Sequence, residues 1–322
     1  MALAGAERGR GQPSDADVRT QEVRYEPLED QARLPELFRL ERHQFAATQR
    51  VKCQLAVTGV CVQTLTFPSP VESPHPVNNT VHGNYFRPAG PGPFPAVIVL
   101  DILAGDQTVS RTAAMYLAQH QIAGLCLHLP YYGPRRPAGE RVRFLSPNLK
   151  QTTEAMRQAV LDCRRAAAWL AAQPEIDPDR LGIMGTSLGS FPAALTCAME
   201  PRLKSAALLL GGGGLVEAYQ DHPEMAKFRP VLQLLGADRD TLKKLIAPID
   251  PITYADRLKE RRVLLIAAKQ DEVVPAAAAQ QLWEASGKPR IIWYDTSHVG
   301  AALYTLSILE HVRDHFAEPV KK

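Results

Sequence analysis

The chain has 322 residues, of which 45% are hydrophobic and 22% charged, and its formal net charge is +3. This is the composition of a folded protein with a sizeable core, and so small a positive balance gives no reason to expect nucleic acid or an anionic membrane surface as a partner. No run approaches the roughly 18 apolar residues that span a bilayer, and the five cysteines (Cys53, Cys61, Cys126, Cys163, Cys197) contain no CxxC pair, so neither a zinc site nor a disulfide framework is indicated.

The first residues turn polar after position 5 and lack the apolar stretch of a signal peptide, which makes a cytoplasmic, reduced protein the expectation. Residues 1 to about 30 carry no sustained periodicity and read as a leader. From Pro35 to about Arg50, the spacing of Leu37, Phe38, Leu40 and Phe45 predicts a short amphipathic helix docked on the main body. Strand-like stretches come next, near Val51–Phe67 and Thr80–Phe86, separated by a connection punctuated with Pro68, Pro70, Pro74 and Pro76. They suggest an antiparallel pair at a sheet edge.

Beyond Pro88 the character changes. Ala96–Leu103 is a near-continuous apolar run, as expected of a strand covered on both faces. Next come a helical segment at about Arg111–His120, a strand at Ile122–Leu127, and a long helical pattern over Asn148–Gln173. Further strands read at Arg180–Met184, Ala206–Leu210, Val263–Ala267 and Ile291–Tyr294, with helical patterns between and after them. Strand alternating with helix implies βαβ units and a mostly parallel sheet. Leu215 to about Leu258 is longer than one crossover helix needs, and it carries Phe228, Val231, Leu232, Leu234, Leu235, Leu242 and Leu245. Two short helices forming a cap fit this pattern; a decorated crossover that never touches substrate is the plainer alternative.

The chemistry centres on Gly185-Thr186-Ser187-Leu188-Gly189, placed directly after a strand and before the helical run Phe191–Met199. That is the strand–turn–helix context a G-x-S-x-G elbow requires. A serine is a poor nucleophile unless a base takes its proton, and the base needs an orienting acid. The strand at 263–267 runs into Lys269-Gln270-Asp271-Glu272, and the strand at 291–294 runs into Thr296-Ser297-His298. Both candidates fall just past the carboxyl ends of successive strands, where ligands bind in parallel sheets. Asp271 is the first choice of acid, Glu272 the second, and Asp295 lies too near the strand itself. Donors for a tetrahedral oxyanion are expected from the backbone N–H of Leu188 and from the turn Ile102-Leu103-Ala104-Gly105.

Other motifs carry less. His311 and His315 stand at i, i+4 without a third ligand, so metal binding is not expected. His128 lies beyond a strand end and reads as a structural histidine, with a place in a pocket lining as the alternative. Gly211–Gly214 lacks both the G-x-G-x-x-G pattern and a P-loop lysine, and reads as a loop that lets backbone pass close to the site.

From about Val81 to its end the chain resembles the α/β-hydrolase superfamily, most of all its dienelactone hydrolase and acetyl xylan esterase-like branch. The matching pieces are GTSLG at 185–189, LPYYGPRRP at 129–137, AAKQDEVVP at 267–275 and YDTSHVGAALY at 294–304. The resemblance implies an α/β fold with a mostly parallel eight-stranded sheet and helices on both faces. With the reading in chain order above, the expected division is a leader and docking helix over 1–50 and a hydrolase domain over 51–322 that carries the small cap insertion at 215–258. The resemblance further implies hydrolysis through an acyl-enzyme without metal or organic cofactor, with Ser187, Asp271 and His298 as triad and Leu103 and Leu188 as oxyanion residues. Two departures stand out. Asp101-Ile102 occupies a turn where the family often has His-Gly, and Ser187 stands where dienelactone hydrolases proper use cysteine. The expectation is therefore a serine carboxylic-ester hydrolase acting on a small or medium acyl ester. Peptidase, thioesterase and acyltransferase chemistry remain open on the same triad, as does a catalytically silent binding protein. Oligomeric state is left open.

Overall fold

The computed structural model describes residues 18–219 and 239–319. Ten strands form a single sheet: β1 (Val18–Tyr25), β2 (His43–Gln54), β3 (Cys61–Pro68), β4 (Thr80–Arg87), β5 (Phe94–Leu100), β6 (Ala123–Leu127), β7 (Ile176–Thr186), β8 (Leu203–Leu209), β9 (Arg262–Ala268) and β10 (Arg290–Tyr294). Their spatial order is β1-β2-β3-β4-β6-β5-β7-β8-β9-β10. Pairing is antiparallel from β1 to β4 and between β4 and β6, and parallel from β6 through to β10. The order reverses at β5, whose two neighbours β6 and β7 come after it in the chain. In parallel sheets such a reversal opens a crevice at the carboxyl ends of the strands.

Eight helices accompany the sheet among the described residues: α1 (Thr108–Gln119), α2 (Leu149–Ala171), α3 (Ser190–Met199), α4 (Leu215–Ala218), α5 (Arg239–Ile246), α6 (Ala255–Leu258), α7 (Ala276–Ala285) and α8 (Thr305–Ala317). The apolar central strands feed two cores by simple alternation. On β5, Ala96, Ile98 and Leu100 face one core, with α2, α3 and Leu282 of α7. Val97 and Val99 face the other, with α1 and α8. A strand that is apolar at every position is what two covered faces demand.

The N-terminal region departs from expectation, and the sheet has ten strands rather than eight. The stretch read as one strand over 51–67 is a hairpin. β2 and β3 are joined through Gly59 at φ +69, where the Gly59 N–H donates to the Leu55 carbonyl at 2.8 Å. The remaining strand is β1, in a segment read as leader. The amphipathic helix expected from Pro35 to Arg50 is a 3-10 turn at Glu36–Phe38 followed by β2. Phe45, Ala47 and Gln49 are buried while Gln44, Ala46 and Arg50 are exposed, so a period of 2 wins over the looser spacing of Leu37, Phe38 and Leu40. Residues 18–50 thus contribute β1 and most of β2 to the same sheet as the strands that come after them.

A buried cluster ties β1 to the body. The Tyr25 hydroxyl donates to Glu200 Oε2 at 3.0 Å, Arg164 Nε on α2 lies 3.3 Å from the same oxygen, and Arg202 Nη1 donates to Glu200 Oε1 at 2.7 Å. Glu200 closes the C-terminal end of α3, the helix that comes after Ser187.

Of the expected cap at 215–258, the apolar cluster Phe228–Leu235 lies outside the described residues. The parts on either side are held together near the sheet. Asp250 accepts the backbone N–H groups of Gly214 at 2.9 Å and Leu215 at 2.8 Å, and Lys243 pairs with Glu217 at 2.6 Å.

Candidate active site

β7 ends at Thr186, and the chain turns into helix through Ser187, whose φ is +51. A non-glycine residue there is strained, and such strain concentrates where a side chain must be presented. The flanking glycines are steric necessities. A Cβ on Gly185 would lie 2.0 Å from the Gly189 carbonyl oxygen, and one on Gly189 would lie 2.6 Å from the carbonyl oxygens of both Leu100 and Asp101. The Ser190 hydroxyl locks the turn by donating to the Ser187 carbonyl at 2.6 Å. Gly211 packs against that hydroxyl, at 1.7 Å from where its Cβ would be, so the loop after β8 does pass close to the elbow.

Three side chains from three strand ends meet here. His298 Nε2 lies 3.0 Å from Ser187 Oγ, and His298 Nδ1 lies 2.7 Å from Asp271 Oδ2 and 2.9 Å from Oδ1. Asp271 is itself held, its Oδ1 accepting the N–H groups of Val273 at 2.9 Å and Val274 at 2.7 Å. Its carboxylate is only 2% exposed, whereas the His298 side chain is 13% exposed. Glu272 takes a different place, because its Oε2 accepts the backbone N–H of His298 at 2.9 Å and does not reach the ring through that bond. This bond is the main reason that the Glu272 carboxyl is held below its ordinary range. Asp295 accepts a hydrogen bond from Gln270 Nε2 at 3.1 Å.

Sequence reasoning missed two residues that brace the site. The Tyr219 hydroxyl, at the end of α4, donates to the Val273 carbonyl at 2.5 Å and so props the loop carrying Asp271. Burial, and then the Asp271 charge, push that phenol up to about 12. The Tyr132 hydroxyl accepts the Ala104 N–H at 3.3 Å, within the turn after β5. Tyr132 belongs to the LPYYG segment, yet nothing in its spacing announces a contact 28 residues away.

Asp101, where a His-Gly turn would put histidine, is buried and organises this turn. Its Oδ2 accepts the Gln107 N–H at 2.7 Å, and its Oδ1 accepts the Ser110 N–H at 3.2 Å, at the start of α1. Burial raises its pKa against the lowering effect of those bonds. Leu188 is buried and Leu103 is half exposed.

Beside Ser187 and His298 opens a cavity of about 540 Å³. Its walls come from the turn at Ile102 and Leu103, from α1, from the ends of β7 and β8, and from the segment 299–309 after His298. None of residues 215–219 or 239–258 lines it. The described parts of the expected cap therefore stand away from this opening.

His315 is buried on α8 and His128 sits against Gly133, each pushed down to about 4 chiefly by burial. No group of three or more metal-ligating side chains is present among the described residues, and no helix among them is long and apolar enough to cross a membrane.

Comparison with known proteins agrees with this architecture. The prolyl oligopeptidase family model matches residues 151–289, a stretch that contains Ser187 and Asp271 and stops before His298. Esterase YjfP of Escherichia coli is 24% identical over 196 residues, covering 60% of this chain and 75% of that protein. An uncharacterized protein of Mycobacterium tuberculosis is 29% identical over 180 residues, covering 53% of this chain but only 41% of its own length. The chain thus spans less than half of that relative. Among solved structures, the acetyl xylan esterase from Paenibacillus sp. R4 superposes with a TM-score of 0.67 at 16% identity, over 83% of this chain and 88% of that one. The α/β hydrolase GrgF from Penicillium sp. sh18 gives 0.58 at 14% identity, over 80% of this chain and 98% of that one. With its switch-point sheet and these structural matches, the chain has the fold of the α/β hydrolases.

Proposed function

We propose that the protein is a serine ester hydrolase working through an acyl-enzyme on small or medium acyl esters. The observation that carries this reading is the unbroken relay from Ser187 Oγ through His298 to Asp271, with links of 3.0 Å and 2.7 Å, on the wall of the cavity. His298 Nε2 takes the proton as Ser187 Oγ attacks the ester carbonyl, and Asp271 holds Nδ1–H and steadies the imidazolium that forms. The carbonyl oxygen, now negative, needs preorganised donors. The N–H of Leu188 at the onset of the helix and one N–H from the turn containing Leu103 are the donors proposed. Collapse of the intermediate gives the alcohol its proton from His298. Water then repeats the sequence on the acyl-serine. The cavity volume is within the roughly 300–1,000 Å³ range of small-molecule sites.

Carboxylic esters are favoured over peptides because, among the described residues, the cavity offers no Asp, Glu, Lys, Arg or amide side chain to grip a peptide backbone. The test is hydrolysis of p-nitrophenyl acetate together with labelling by a fluorophosphonate. Wild type should do both. Ser187→Ala should lose the label and roughly 10⁴-fold or more in turnover while keeping its circular dichroism spectrum. Hydrolysis by Ser187→Ala at the wild-type rate would remove the mechanism. Turnover of aminoacyl amides or thioesters in preference to esters would replace it with one of the sister chemistries.

A further inference from the structure

The cavity beside Ser187 has a floor and a mouth, and the two differ in exposure. Met184, Leu209, Ile308 and Leu309 are buried and lie inside. Leu103, Val109 and Val299 are 50%, 41% and 73% exposed, so they form the opening. Apart from Ser187 and His298, the only polar side chains among the described residues that line it are threonines, and none is Asp, Glu, Lys or Arg.

We infer that this cavity is an acyl-chain subsite, built between α1 and α8 for an uncharged, linear aliphatic acyl group of medium length. The inference rests on the serine-hydrolase reading for its chemistry and on the cavity's walls for its selectivity. A carboxylate or a sugar ring placed among these residues would lose its water and gain few hydrogen bonds, which is costly for any polar group. An alkyl chain loses nothing of the kind. It gains contact with methyl and methylene surfaces along the whole path from Ser187 to Met184 and Ile308. The volume sets an upper bound, since 540 Å³ holds on the order of 18 methylene-sized groups at the ~30 Å³ of a liquid water molecule. Part of that space is the open mouth, so the enclosed chain is shorter. A second carboxylate on the acyl group would need a charged or amide partner beside it, and among the described residues the walls of this cavity supply only threonine hydroxyls besides Ser187 and His298.

Chain length is read through burial. Each methylene that enters an apolar wall should raise kcat/KM by about fourfold, the rate equivalent of its transfer free energy, until the floor is reached. The specificity constant covers the steps from free enzyme and ester to acylation, so a chain buried in the acylation transition state raises it.

The experiment uses the full-length protein and a series of p-nitrophenyl esters from acetate to dodecanoate, with a p-nitrophenyl hemiglutarate as the charged probe. The expected result is a rise of at least tenfold in kcat/KM between acetate and hexanoate, a fall beyond the length that the floor admits, and at least tenfold slower use of the hemiglutarate than of pentanoate. Thr112 and Thr305 line the cavity yet are exposed, so bulk there does not disturb the core. Thr112→Trp or Thr305→Trp should lower the hexanoate-to-acetate ratio about tenfold, and Thr112→Asp should lower it at least as much. A flat length series, or a preference for the hemiglutarate, overturns the subsite while leaving the ester-hydrolase reading intact. If no ester is turned over, calorimetric titration of Ser187→Ala with octanamide and with acetamide still decides. Binding of octanamide alone upholds the subsite without the chemistry, and binding of neither overturns it.

Discussion

Glu272 grips the backbone of His298, Oε2 to N–H at 2.9 Å, while its chain neighbour Asp271 grips the ring. Two adjacent carboxylates thus share one histidine, one setting where it stands and the other which way its ring faces. The division predicts unequal effects. Asp271→Asn should cost about 10²–10⁴-fold in kcat, because the amide no longer stabilises the imidazolium or enforces the tautomer. Glu272→Gln keeps an acceptor for the N–H and should stay within about threefold of wild type, whereas Glu272→Ala should lose about tenfold. Steady-state kinetics on p-nitrophenyl acetate rank the three, and a larger effect for Glu272→Gln than for Asp271→Asn would reverse the assignment.

Tyr219 braces the same loop from α4. Removing its hydroxyl frees the Val273 carbonyl and the turn that aligns Asp271, so Tyr219→Phe should lower kcat by roughly 3- to 10-fold with KM little changed. The pattern separates positioning from substrate binding, since a contact with substrate would appear in KM.

The elbow glycines admit no Cβ. Gly189→Ala would drive a methyl into two carbonyl oxygens at the end of β5 and should destabilise by about 3 kcal/mol or more, beyond ordinary overpacking. Chemical denaturation should show a lower midpoint, and fluorophosphonate labelling of whatever remains folded should be slow.

Stability should decline on mild acidification. His315 is buried, and burial, helped by the nearby Arg262 charge, pushes its imidazole from the ordinary 6.5 down to about 4. His128, beside His82 and Arg135, is depressed to about 4 in the same way. Between pH 6.5 and 4 the unfolded chain takes up protons that the folded protein refuses, so stability falls as pH falls through this window. His315 alone should account for up to about 3 kcal/mol at ~1.36 kcal/mol per pH unit. Urea midpoints measured at pH 7.5, 6, 5 and 4 check this, and His315→Gln or His315→Leu should flatten the slope.

Glu200 answers to Tyr25, Arg164 and Arg202 at once, with no exposed surface on its side chain. Replacing it by Ala leaves the fully buried Arg164 guanidinium, and the partly buried one of Arg202, without their carboxylate, a change that typically costs about 3–5 kcal/mol. A fall in Tm of about 10 °C is expected, with the residual folded protein still active at 25 °C.

Much of the fold is written locally. The apolar runs of β5, β6, β8 and β9 announce strands because both faces of each are covered, and the order of Ser187, Asp271 and His298 in the chain reflects a parallel sheet that presents its loops at one end. β1 and β2 are illegible for the opposite reason. Val18–Tyr25 and His43–Gln54 are half-exposed, with Arg19, Glu22, Arg24, Arg50 and Lys52 on their solvent faces, so composition hides them. The braces Tyr219 and Tyr132 act across 54 and 28 residues respectively, and no local pattern encodes such pairs. The cavity is equally hidden, because its walls, α1 and the segment after His298, are distant in sequence and meet only when the sheet is assembled. The long excursion after β8 is far more conspicuous in the sequence, yet its described parts do not line that cavity.

The attachment of β1 also determines where the protein tolerates being cut. A version beginning at residue 51 would lose Tyr25 from Glu200 and strip away the β2 residues Thr48, Gln49 and Arg50, leaving the C-terminal half of β3 facing solvent along its hydrogen-bonding side. An unpaired strand edge next to a buried carboxylate that has lost a donor invites intermolecular pairing. Such a version should precipitate or associate, whereas one beginning shortly before Val18 keeps the exposed charges of Arg19, Glu22 and Arg24 on the edge strand, which should disfavour edge-to-edge pairing.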